Sequence, residues 1–158
     1  MKKYFTLALC FILVSTNISF ANTNNTTVST NISSAKTNNI TDAIRDIEMV
    51  NSSTKIIIRK IVGDEPLEAE TLRKDIAFSQ SILEQQSKKA STLYSRESDF
   101  ELRETYASIL FTIILYELTL SNILTYINDH SKVDYFIHAC KSYLDAENSL
   151  KNLKIKYL

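Results

Sequence analysis

AETLRKDIAFSQSILEQQSKKASTL, residues 69 to 93, decides the fold class. Apolar side chains stand at Ala69, Leu72, Ile76, Leu83, Ala90 and Leu93, and Ser79 and Gln86 complete a strict alternation of three and four residues. That spacing keeps every seam position on one stripe of an α-helix, which stays out of water only against neighbouring helices. The segment, called B, opens at Asp64-Glu65-Pro66 and ends near Arg96, with acidic residues at its start and a basic one at its end, as the helix dipole favours.

Working outward, three more segments repeat this grammar. Segment A begins at Thr41 with Asp42 behind it and carries Ala43, Ile47, Val50, Ile57 and Ile61, with Thr54 in the same rhythm; Arg59, Lys60 and then Gly63 close it. Ser98-x-x-Glu101 reads as a capping box that starts segment C at Asp99, running to about Ile127. Segment D follows Asn128-Asp129-His130, with Ser131 as its cap and Asp134 three residues on. No Gly or Pro separates B from C, so one helix from Glu65 to Ile127 is the rival reading. Basic Arg96 followed by acidic Asp99 favours a break. Together these features predict an all-α, antiparallel four-helix bundle spanning residues 41–158.

What precedes the bundle has a different composition. Lys2 and Lys3, the apolar run from Phe5 to Val14 and the small-x-small site Ser19-Phe20-Ala21 read as a signal peptide over residues 1–21, cleaved after Ala21. A lipobox at Leu7-Ala8-Leu9-Cys10 is the weaker reading, because bulky Leu9 stands where a small residue is wanted. Residues 22–40 are almost all Asn, Thr and Ser, too poor in apolar side chains to offset chain entropy, and are expected to form a disordered tether. The expected location is therefore the periplasm, the cell envelope or the extracellular space. Cys140 becomes the one cysteine of the mature chain, so an internal disulfide is excluded there.

Composition narrows the function classes. A single Gly and a single Pro suit helices and not tight hairpins. Lys plus Arg equals Asp plus Glu at 18 each, and removal of Lys2 and Lys3 leaves 16 basic against 18 acidic groups, which gives no electrostatic case for nucleic acid. His130, Asp134 and His138 stand four apart, but a fourth donor and a zinc-type spacing are both missing, so neither a metal nor a cofactor is expected. On the helical wheel of segment D, Asp134, His138, Lys141, Asp145 and Asn152 oppose a face of Val133, Phe136, Ile137, Cys140 and Leu144, which is therefore expected to be the buried one.

Segment C is the apolar extreme. Ile109 to Leu115 and Leu118 to Ile127 predict a central helix buried on most of its circumference. Its least apolar face carries Thr105, Ser108, Thr112, Thr119 and Asn122, small neutral groups that suit close packing against a neighbouring helix first, and a partner surface or a membrane span as the alternatives. Against the span stands Glu117, which costs about 2.5–3.5 kcal/mol at the centre of an inserted helix.

Glu117 is also the anomaly on an otherwise apolar face of Tyr106, Leu110, Ile113, Leu120 and Leu124. Folding the segments about their turns places it level with Asn51, Ala77 and Ser142, so that Glu117, Ser79, Thr54, Asn51 and Cys140 form a candidate buried polar layer. A lone carboxylate with no His, second acid or activated nucleophile lacks the constellation of an enzyme. The sequence therefore points to an exported, non-enzymatic interaction protein whose partner is another protein. The alternatives are a bundle binding a small apolar ligand beside Glu117, and a membrane-attached protein using residues 105–127. A closed core, a cavity at Glu117 or an uncovered apolar belt on segment C would respectively mark the three.

Overall fold

Seams that repeat every three and four residues need helices of several turns, and the computed structural model of the chain has four of them. These are α1 Ser34–Val62, α2 Ala69–Arg96, α3 Phe100–Asn128 and α4 Val133–Tyr157. The structure describes residues 34–63 and 68–158, and no strand occurs among them. The expected signal segment 1–21, residues 22–33 of the expected tether and the Asp64-Glu65-Pro66 opening of segment B lie outside the described residues.

Cross-helix hydrogen bonds give the directions. Ser79 of α2 donates to Ser53 of α1 at 3.2 Å, and Gln86 to Asp46, so numbering rises on one helix as it falls on the other. Arg73 of α2 reaches Asn128 Oδ1 of α3 at 3.0 and 3.1 Å. Thr112 and Thr105 of α3 meet Ser149 and Tyr157 of α4. Lys154 of α4 pairs with Glu48 of α1, closing the ring. The chain is an antiparallel four-helix bundle, and α3 packs against all three other helices.

All eight seam positions of α2 are turned inward: Leu72, Ile76, Ser79, Leu83, Gln86 and Ala90 are buried, and Ala69 and Leu93 flank the core. The α1 seam holds likewise, with Ala43, Ile47, Val50, Thr54, Ile57 and Ile61 buried. Each large aliphatic contributes about 1.5–3 kcal/mol by leaving water.

Four local expectations change. The first helix starts at Ser34 and not at Thr41, so residues 34–40 belong to it and not to the tether; Ile40, 1% exposed, adds one position before Ala43 to its apolar stripe, and Ile44 joins it. Its end differs too. No described glycine has positive φ, so Gly63 follows α1 without the left-handed C-terminal conformation.

The break between α2 and α3 stands where expected, but its cap is Asp99, whose Oδ1 accepts the Leu102 N–H at 3.0 Å, and not Ser98. Glu97 turns back to accept the N–H groups of Ser98 and Asp99 at 3.0 and 3.1 Å. Ser131 does not cap α4 either. Its N–H and hydroxyl both donate to Asp129 Oδ1, at 3.1 and 2.6 Å, and these bonds hold the Asp129 carboxyl below its ordinary range.

The largest correction concerns α4. Its inward face is Ala139, Ser142, Tyr143, Ala146, Leu150 and Leu153, whereas Val133, Ile137 and Leu144 are 53%, 59% and 57% exposed. Both stripes have helical period. The inward stripe alternates small Ala139, Ser142 and Ala146 with large Tyr143, Leu150 and Leu153, and the same side of α4 meets α3 through Ser149–Thr112 and Tyr157–Thr105. The face of Asp134, His138, Lys141, Asp145 and Asn152 is exposed as expected.

Candidate functional site

The five polar residues expected to share a layer point into different clefts. Thr54 turns its hydroxyl back onto Val50 O at 2.8 Å, and Ser79 is joined to Ser53. Asn51 faces the α1/α4 side, and Cys140 is partly buried on α4. Glu117 is half-buried on the flank of α3 nearest α2. Among the described residues no hydrogen bond joins any two of the five. Antiparallel arithmetic sets height along a bundle but not direction around a helix, and the height itself was two turns off. The Arg73–Asn128 contact puts Glu84, not Ala77, across from Glu117.

Burial raises the Glu117 carboxyl above its ordinary value, and the Glu84 charge adds to the effect. Glu84 is itself paired with Lys88 at 2.8 Å. Burial also raises the Cys140 thiol, which lowers its thiolate fraction and its reactivity. His130 lies edge-on to Tyr126 at 5.0 Å, His138 is exposed, and among the described residues no three His, Cys, Asp or Glu side chains gather as metal ligands would.

A polar cleft lies instead on another side, where α1 meets α4. A groove of about 660 Å³ opens there, floored by Leu150 and lined by Asn51, Glu147, Asn148, Lys151, Lys154, Ile155 and Leu158. Asn51 Oδ1 is buried without a hydrogen-bond partner in the protein. Tyr116 of α3, fully buried, leaves its hydroxyl equally unpartnered. An unsatisfied buried group of this kind costs about 1–3 kcal/mol.

The surroundings of Tyr116 explain its chemistry. Its ring meets Tyr143 edge-on at 6.4 Å. Desolvation first, then Tyr143, Glu147 and Glu48, drive its hydroxyl far above the ordinary phenol range, so it stays neutral. Tyr143 donates to Glu147 Oε1 at 3.4 Å and is pushed up to about 12, chiefly by burial. These groups bind and orient; a paired acid and base or an activated nucleophile is not among them. Sequence reasoning singled out Asn51, but not Tyr116, Glu147 or Lys151. Tyr116 is one turn-adjacent polar tip within an apolar run, which no periodicity reveals.

A second feature is the outer face of α3. Phe100, Phe111 and Leu118 are 72%, 47% and 48% exposed, and Ala107 and Ile114 stand between them in the same alternation of three and four. Outward positions from Ala107 to Thr125 carry no charge. The helix is long and apolar enough to cross a membrane by length and composition, yet only 39% of its most apolar stretch is buried within the bundle. Burial on most of its circumference, expected from the sequence, is thus replaced by a buried inner stripe and an uncovered outer one. The small residues Thr105 and Thr112 take the close-packing role, hydrogen-bonded to Tyr157 and Ser149 of α4. Comparison with protein-family models, with curated proteins and with solved structures gives no match.

Proposed function

We propose that this chain is an exported, non-enzymatic bundle that binds another protein through the outer face of α3. The observation that carries the reading is the uncovered stripe of Ala107, Phe111, Ile114 and Leu118. An uncovered belt is the mark expected of membrane attachment, but this one is a single helix face wide. The other side of the helix is packed into the bundle, and the helix carries the half-buried Glu117, costly in a bilayer, which favours a protein partner. Interface cores are depleted in charge and rich in aromatic anchors, and an exposed apolar stripe of this kind marks a contact surface. Its spacing of three and four matches a helix laid alongside. Charge selects the partner's chemistry: burying Lys or Glu against this stripe would leave that charge unpaired, so the partner presents an apolar, uncharged helical face. Export rests on the Lys2-Lys3 start, the apolar run and the Ala21 site, and N-terminal sequencing of the mature protein is expected to begin at Asn22.

The test places a photo-crosslinking side chain at Leu118, with Lys141 on the polar face of α4 as the control position, in the full exported chain. The expected result is one protein adduct at 118 and none at 141. That protein, purified, then binds the mature chain, and Phe111→Glu weakens the binding by about tenfold or more at unchanged melting temperature. Adducts to lipid, with sedimentation on lipid vesicles, would transfer the face to the membrane reading. Adducts to a second copy of this chain, or equal labelling at 118 and 141, would also defeat the proposal.

A further inference from the structure

We propose that the notch between the end of α2 and the start of α3 receives one aromatic side chain of the protein partner, a ring bearing an O–H or N–H donor, as the anchor at one end of that interface. The inference rests on the α3 reading and names a chemical feature that the partner carries.

The notch is built where the two helices meet at their break. Tyr94 closes it on α2, and Phe100, Arg103, Glu104 and Ala107 close it on α3. Phe100 and Ala107 also begin the stripe that continues through Phe111, Ile114 and Leu118, so a helix laid along that stripe passes over the notch. Size sets what can enter. About 260 Å³ is less than the ~300–1,000 Å³ of sites for drug-sized ligands, and it suits a single side chain.

The lining then selects the chemistry of that side chain. The Arg103 guanidinium lies 5.0 Å from the centre of the Tyr94 ring, and Phe100, 72% exposed, supplies a second ring. An aliphatic side chain would take water from the guanidinium and return nothing, whereas an aromatic ring returns the attraction of its π face. Charge rules out the ionic alternatives. Arg103 and Glu104 line the notch together, and neither forms an ion pair with another described residue. A carboxylate drawn to Arg103 would therefore meet Glu104, and an ammonium drawn to Glu104 would meet Arg103. A neutral ring avoids both conflicts. The O–H of tyrosine or the indole N–H of tryptophan can also donate to the Glu104 carboxylate, which phenylalanine cannot do.

The experiment titrates a chain starting at Asn22, which keeps every described residue, with N-acetyl-tyrosinamide, N-acetyl-phenylalaninamide and N-acetyl-leucinamide. Binding is read from the Ala107 methyl and Arg103 Nε–H resonances. The tyrosine probe is expected to saturate at millimolar concentration, the phenylalanine probe to bind about threefold more weakly and the leucine probe about tenfold more weakly. Phe100→Ala and Arg103→Leu should each weaken the tyrosine probe by about fivefold or more, and Glu104→Ala should abolish its advantage over phenylalanine. Leu118→Ala, farther along the stripe, should change nothing. Phe100, Arg103 and Glu104 are exposed, so the variants keep the fold, and unchanged melting temperatures check this. Equal affinity for the leucine probe, unaffected Phe100→Ala and Arg103→Leu variants, a tyrosine advantage that survives Glu104→Ala, or no saturable shift would overturn the proposal. No partner takes part in the titration, so a protein adduct at Leu118 in a chain that binds no aromatic probe would discard the anchor and keep the face.

Discussion

Glu117 shows how a single ionisable group reports its surroundings. Its carboxyl titrates above the ordinary carboxylate value because burial and the Glu84 charge both disfavour the anion. The folded protein therefore holds its proton more tightly than the unfolded chain does. Stability from this group is complete below the unfolded value and is lost as pH rises through the higher folded value. Glu117→Gln keeps the shape and removes the titration. Thermal unfolding followed from acid to neutral pH should show the variant gaining on the parent as pH rises through that window and matching it below. A variant that loses stability at neutral pH would mean that the anion is held by a favourable contact. The Cys140 thiol is raised by the same desolvation, and it is only partly buried.

At the scale of the helix, α4 carries apolar residues on two faces, and substitutions separate them. Ala146 is fully buried where α4 approaches α3, so Ala146→Leu forces extra volume between close-packed helices and should cost about 1–3 kcal/mol. Leu144, 57% exposed, should tolerate alanine within about 0.5 kcal/mol. Chemical denaturation of the two variants measures both, and the opposite ranking would return the buried face to Val133, Ile137 and Leu144. The start of α3 belongs to the same scale. Capping by Asp99 rather than Ser98 was hidden by neighbouring residues that are both good caps; the Asp99 carboxylate takes the Leu102 N–H, and Glu97 takes the N–H groups of both neighbours.

For the bundle as a whole, the boundary at residue 34 matters. In a chain starting at Asn22, removing residues 22–33 should leave the melting temperature unchanged, since that stretch has few apolar side chains to bury. Removing residues up to 40 takes away Ile40, 1% exposed, together with the first two turns of α1, and should lower stability by about 1.5–3 kcal/mol. Calorimetric scans of the two truncations compare them directly, and equal melting temperatures would refute a structural role for residues 34–40.

Local information was enough for much of this molecule. The seams of α1 and α2, the four-helix segmentation and the break before α3 follow from spacing, dipole and capping chemistry, all of which act within a few residues of chain. Three things depended on the assembled bundle: which stripe of α4 turns inward, how much of α3 stays uncovered, and where the polar groups meet. Each depends on the volume, height and direction of side chains on other helices. Ala139 and Ala146 look weaker than Ile137 and Leu144 when hydrophobicity alone is read, yet they are fully buried on the face that also carries Tyr143, Leu150 and Leu153, while Ile137 and Leu144 stay exposed. Asn51 was legible as a polar break in its helix, but that it lines one groove with Lys151 was not, since α1 and α4 are distant in sequence and are brought together only by packing.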